Sequence, residues 1–78
     1  MFNVYLSEFL ERNKITQQEL ADYIGKSQMS VSRYTSKENP TIPRADVWVK
    51  IAELIAHTEH RSIDDVLLEM KCQIRESK

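Results

Sequence analysis

An all-α fold of five helices is expected from three features of the chain. Apolar residues recur at intervals of three and four, not two, along almost its whole length. One glycine and two prolines in 78 residues leave few places where a helix must break. Where breaks do fall, helix-start and helix-stop residues stand at them, as at Thr16, Gly25 and Ser27.

The first helix is expected from about Val4 to Asn13, with Asn3 as its N-cap. Leu6, Phe9 and Leu10 share a face, with Phe2 and Ile15 at its edges. Thr16 and Glu19 form a capping box at the start of the second helix, each side chain satisfying the other's backbone N–H. Leu20, Ala21 and Ile24 are its inner face. Gly25 ends it, because glycine turns left-handed without a Cβ clash.

Ser27 caps a third helix running to about Thr35, with Val31 and Tyr34 inward. "SKENPTIP" is the longest irregular stretch. Pro43 suits the first turn of a fourth helix, where its missing N–H costs nothing. Trp48, Ile51, Ala52 and Ile55 form a buried stripe there, and Trp48, Phe2 and Phe9 are assigned to the core. "HTEHR" interrupts the pattern. Ser62 and Asp65 then open a fifth helix of ~15 residues, whose face is Ile63, Val66, Leu67, Met70 and Ile74.

Residues 1–78 allow a single small domain that buries only ~60% of its unfolded surface, so association would add stability. The apolar share (41%) and charged share (29%) are those of an ordinary soluble protein. No apolar run approaches the ~18 residues of a membrane span. "MFNVYLSEFLERNK" lacks the basic start, apolar centre and small-residue cleavage site of an export signal. Cys72 is the lone cysteine, which suits a reducing compartment, and a cytoplasmic location is expected.

Net charge is only −1, but its distribution is uneven. Residues 26–50 carry five basic side chains (Lys26, Arg33, Lys37, Arg44, Lys50) against two acidic ones (Glu38, Asp46), while both flanks are net acidic. The basic segment contains the outward face of the third helix: Ser27, Gln28, Met29, Ser32 and Arg33. Glutamine can bond N6 and N7 of adenine, and arginine can fork onto O6 and N7 of guanine. Methionine packs on a thymine methyl, and serine serves as donor or acceptor. A merely solvated helix face favours Glu, Lys and Ala over Ser and Gln. The face therefore reads as a set of base contacts in the major groove of double-stranded DNA.

"TQQELADYIGKSQMSVSRY", Thr16 to Tyr34, resembles the helix-turn-helix of the lambdoid phage repressor and Cro (Xre-like) family. The similarity extends over roughly Phe9 to Ile55 and includes "PRADVWVKIAELI", which is similar to the family's fourth helix. Gln17, Leu20, Ala21, Gly25, Gln28 and Val31 match positions that the family uses. The resemblance implies a compact lambda-repressor-like domain with its helix-turn-helix at the second and third helices. Gln17 would bond a phosphate and brace Gln28, and Gln28, Met29, Ser32 and Arg33 would face bases. Lys26, Lys37, Asn39, Thr41 and Arg44 are the other phosphate candidates, chosen for charge or polarity in the turn and following loop.

Many relatives pair an arginine near the end of the first helix with a glutamate after the third. Leu10 and Thr35 stand there instead, so apolar packing is expected in place of an ion pair. The implied function is a transcriptional regulator, a phage or prophage repressor or Cro-like protein, bound as a homodimer to an inverted-repeat operator. Its recognition helices would be about 34 Å apart, one turn of DNA. Residues 62–78 are the candidate dimerisation element, with Met70, Ile74 and Leu68 as contacts.

The alternative is a protein-interaction module, such as an antitoxin or antirepressor, which the weak net charge and long C-terminal apolar face favour. His57 and His60 with Glu59 lack a firm third and fourth ligand, so no metal is expected. No serine or cysteine has a histidine-and-acid setting, so neither catalysis nor a cofactor is expected.

Overall fold

A computed structural model describes residues 1–76, with side chains described through Ile74. Among the described residues are five helices: α1 (Phe2–Arg12), α2 (Gln17–Ile24), α3 (Gln28–Thr35), α4 (Ala45–Thr58) and α5 (Ile63–Glu76). They pack within 29 × 28 × 24 Å. Helix α2 lies on α3 and α4, α1 on α3 and α5, and α4 on α5. One core joins all five, with Leu6, Phe9, Leu20, Val31, Ile51, Ile55, Val66 and Met70 at or near zero exposure. No described helix is long and apolar enough to cross a membrane.

Local bonding explains the sharp ends of α2. Thr16 Oγ1 accepts from Glu19 N–H at 3.1 Å, and Thr16 N–H donates to Glu19 Oε1 at 2.9 Å, closing the capping box. Gly25 is left-handed at φ 72°, which lets Lys26 N–H return to the Ala21 carbonyl at 2.9 Å. A Cβ at Gly25 would meet nothing within 4 Å, so the backbone alone demands glycine. Gly25→Ala is expected to cost about 1 kcal/mol, the left-handed penalty of an L-residue, as a lowered midpoint in urea unfolding at unchanged slope.

Two helix starts differ from the sequence expectation. Helix α1 begins at Phe2, so Asn3 is not an N-cap but a buried helical residue. Its side chain donates instead to the Ser36 carbonyl at 2.8 Å. Helix α4 begins at Ala45 with Arg44 as N-cap, which places Pro43 just outside the first turn with its ring buried. Lys14 and His60 adopt positive φ (56° and 54°) and close α1 and α4 as Gly25 closes α2. Ile15 N–H bonds the Leu10 carbonyl and Arg61 N–H the Ala56 carbonyl, each at 2.8 Å.

The fourth-helix stripe holds Val47 and Ala56 as well as Ile51, Ala52 and Ile55. Trp48 is half-buried, its ring centroid 4.8 Å from that of Phe2. On α5, Val66 and Met70 are fully buried, Ile63, Leu67 and Ile74 pack partly on the core, and Leu68 is 63% exposed. Met70 is thus consumed by the monomer's core and offers no surface to a second copy.

A polar chain ties α1 to the α4–α5 corner. Arg12 contacts Glu59 at 2.6 Å, Arg61 lies between Glu59 (3.7 Å) and Glu69 (3.0 Å), and Tyr5 Oη donates to Glu69 at 2.5 Å. Burial would raise the Glu59 carboxyl, but hydrogen bonds from Asn13 and Arg12 outweigh it and hold it below the usual range. Arg61 first, and then the Tyr5 hydroxyl, hold Glu69 down as well.

Both groups therefore bind protons less readily folded than unfolded. Their stabilisation is complete above the ordinary glutamate value of about 4.3 and is lost as pH falls through the lower native values. Thermal midpoints should hold steady from pH 7 to 5 and then drop. Glu59→Gln combined with Glu69→Gln should flatten that drop in a circular-dichroism series.

Candidate nucleic-acid interface

Helix α3 has only eight residues, too few to persist without tertiary support. Val31 (0% exposed) and Tyr34 (8%) anchor it in the common core, where α3 packs on α2 and α1. Ser27 starts it, its Oγ accepting from Ser30 N–H at 3.3 Å and pairing with Ser30 Oγ at 3.2 Å. With one stripe inward, the opposite side faces solvent by geometry.

Ser27, Gln28, Met29, Ser32 and Arg33 are all exposed, Met29 to 65%. Arg33 Nη2 lies 3.7 Å from Met29 Sδ, a weak contact one turn away that leaves the guanidinium fork available. A large exposed apolar side chain beside an arginine costs solvation and contributes nothing to the core. That combination suits a surface that adapts to a partner's methyl groups and hydrogen-bonding edges.

The phosphate candidates Lys26, Lys37, Asn39, Thr41 and Arg44 are likewise exposed, in the α2–α3 turn and the α3–α4 loop. Arg12 and Arg61 are bound to carboxylates, whereas Lys26, Arg33, Lys37, Arg44 and Lys50 enter no ion pair among the described residues. The uncommitted positive charge thus includes the whole middle segment, and Lys50 of α4 joins it as a basic residue outside the phosphate set read from sequence.

The brace from Gln17 to Gln28 that the resemblance implied is not made. Gln17 Nε2 donates to Thr35 Oγ1 at 3.3 Å, not to Gln28, leaving its second amide hydrogen for another acceptor. Thr35 also departs from the expected apolar packing: its hydroxyl contacts the Val31 and Ser32 carbonyls, each at 3.2 Å. Leu10 is buried, as expected of an apolar residue in that place. Sequence reasoning missed the Asn3–Ser36 and Gln17–Thr35 bonds beside this face, since each joins residues far apart in the chain.

Among the described residues no group of three or more His, Cys, Asp and Glu is placed to hold a metal ion. His57 lines a shallow groove with Tyr23, Glu53, Ala56, Arg61 and Ile63, none of them on α3.

No curated protein and no solved structure gave a significant match to the chain. A family model described as Helix-turn-helix matches residues 6–56, from within α1 almost to the end of α4 and including the whole α2–turn–α3 unit. With well over half its length matched, the chain belongs to the helix-turn-helix family and has the DNA-binding, regulatory role that this motif carries.

Proposed function

We propose that the chain is a sequence-specific transcriptional regulator of the lambdoid repressor and Cro type. It binds an inverted-repeat operator as a homodimer, one α3 in each of two successive major grooves. The observation that carries this reading is the division of α3. Val31 and Tyr34 are buried, while Gln28, Met29, Ser32 and Arg33 project from the globule.

The basic turn and loop flanking α3 supply phosphate contacts that set its register, and the side chains of α3 supply discrimination. The N-termini of α2 and α4 add backbone N–H donors for phosphates. Acidic flanks weaken non-specific attraction, and the dimer's log K against log salt has a slope of about −4 to −6. The exposed Leu68, with the partly buried Ile74, is the apolar surface of α5 left for a second copy. The protein acts in the cytoplasm of a bacterial host, on the nucleoid when bound, as a phage or prophage repressor or Cro-like protein.

Selection of bound duplexes from a random pool tests this reading. A palindromic consensus with half-sites about one helical turn apart is expected. A pool that stays random contradicts it. The second reading, an interaction module, draws on the exposed Leu68 and the groove beside Tyr23. Stoichiometric co-purification of one protein, without salt-sensitive DNA binding, would decide for it.

A further inference from the structure

Asn3 is the one buried polar or charged side chain among the described residues, 5% exposed in a core otherwise apolar. An amide in such a place costs free energy unless its hydrogen bonds are made. Its Nδ2 is spent on a single distant target, the Ser36 carbonyl at 2.8 Å. Ser36 is the residue at which α3 ends, its φ of −62° and ψ of 138° taking the chain out of the helix.

The last carbonyls of a helix have no intrahelical backbone partner, and those of α3 are met by a loop N–H and by side chains. The Arg33 carbonyl accepts from Thr41 N–H of the loop at 3.1 Å, and the Ser32 carbonyl contacts the Thr35 hydroxyl. That hydroxyl is also the acceptor for Gln17 of α2. Asn39 N–H donates to Ser36 Oγ at 3.2 Å, fastening the loop to the same point. The far end of α3 is therefore held from α1, from α2 and from the loop. Its near end is held by the Gly25 turn and the Ser27 cap.

Position matters here because α3 is a short lever. Eight residues at ~1.5 Å each make about 12 Å, so a tilt of about 5° moves the Arg33 end by roughly 1 Å. Bidentate contacts tolerate about half that displacement. We propose that Asn3, reaching from α1 to the Ser36 carbonyl, is a positioning residue for DNA readout, setting the tilt at which Ser32 and Arg33 meet base edges. The Gln17–Thr35 bond is its counterpart from α2. This inference rests on the reading of α3 as the helix that enters DNA.

The test compares Asn3→Ala with Tyr5→Phe in the full chain, at a temperature where both remain folded. Each removes one side-chain bond that α1 makes to another helix or its end, but Tyr5 is bonded to Glu69 of α5. Asn3→Ala should speed hydrogen exchange of the last-turn amides of α3. It should also cut the ratio of selected-operator to random-duplex affinity by about tenfold or more, as expected for one weakened base contact in each subunit. Random-duplex affinity should stay within about twofold, since phosphate contacts outside α3 supply most of it. Tyr5→Phe should leave both the exchange and the ratio as in the wild type.

Should Asn3→Ala fail to fold, Thr35→Val removes the opposite strut with little change of shape and should give the same two effects. Exchange and ratio matching those of Tyr5→Phe overturn the proposal. Faster exchange in a protein whose wild type prefers no duplex overturns the DNA reading itself, leaving Asn3 a structural strut with no part in readout.

Discussion

Replacing Arg33 or Gln28 by alanine should abolish preference among DNA sequences while the fold survives. Each bidentate base contact discriminates by about 1–3 kcal/mol, and a two-fold complex loses it twice, so an operator should be bound about 2–6 kcal/mol less tightly. Both side chains are exposed and carry none of the core, so stability should change by less than about 0.5 kcal/mol. Lys37→Ala makes the contrast. It should weaken binding to every duplex alike and lower the salt slope by about 0.9 per subunit. Titrations of operator and scrambled duplex at several salt concentrations separate the two behaviours. Unchanged operator affinity in both Arg33→Ala and Gln28→Ala would remove α3 from the interface.

Phe9→Ala should have the largest effect on stability. Phe9 is 1% exposed and sits in the core shared by all five helices. Truncating a buried phenylalanine costs about 3–5 kcal/mol, from lost transfer energy and the cavity left behind. A chain of this length has only about 4–12 kcal/mol in total. The thermal midpoint should fall by roughly 15–30 °C, with partial unfolding at room temperature. DNA binding should fall in proportion to the folded fraction, and saturating operator should restore part of the midpoint, because only the folded state binds it. Circular dichroism melts with and without operator provide the check.

What could be read from residues was whatever depends on near neighbours. The Thr16–Glu19 box, the Gly25 turn and the Ser27 cap are settled by bonds within a few positions, and each stands where the chain places its signal residue. The division of α3 into buried Val31 and Tyr34 and an exposed polar side follows from helical period alone. The misses share a different cause. Asn3 looks like an N-cap until Ser36, thirty-three positions on, is seen beside it. Gln17 bonds Thr35 at the end of α3, where the family resemblance implies a brace to Gln28.

Lys14 and His60 take left-handed turns without the glycine or asparagine that would announce them. Met70 and Leu68 are two positions apart on one helix, yet one is fully buried and the other mostly exposed. The apolar stripe told their spacing but not how deeply α5 seats against α1 and α4. Likewise, the charge count could not show that Arg12 and Arg61 are consumed by Glu59 and Glu69.

The most direct test is a titration of isotope-labelled protein with its selected duplex, followed by NMR. Intensity changes and shifts should concentrate on the Gln28 and Arg33 side chains, the Met29 methyl and the amides from Lys26 to Thr35, with the Tyr23–His57 groove unaffected. If the signals of α3 stay still while those of the groove move, nucleic acid meets some other surface, and the role given to the polar side of this short helix is wrong.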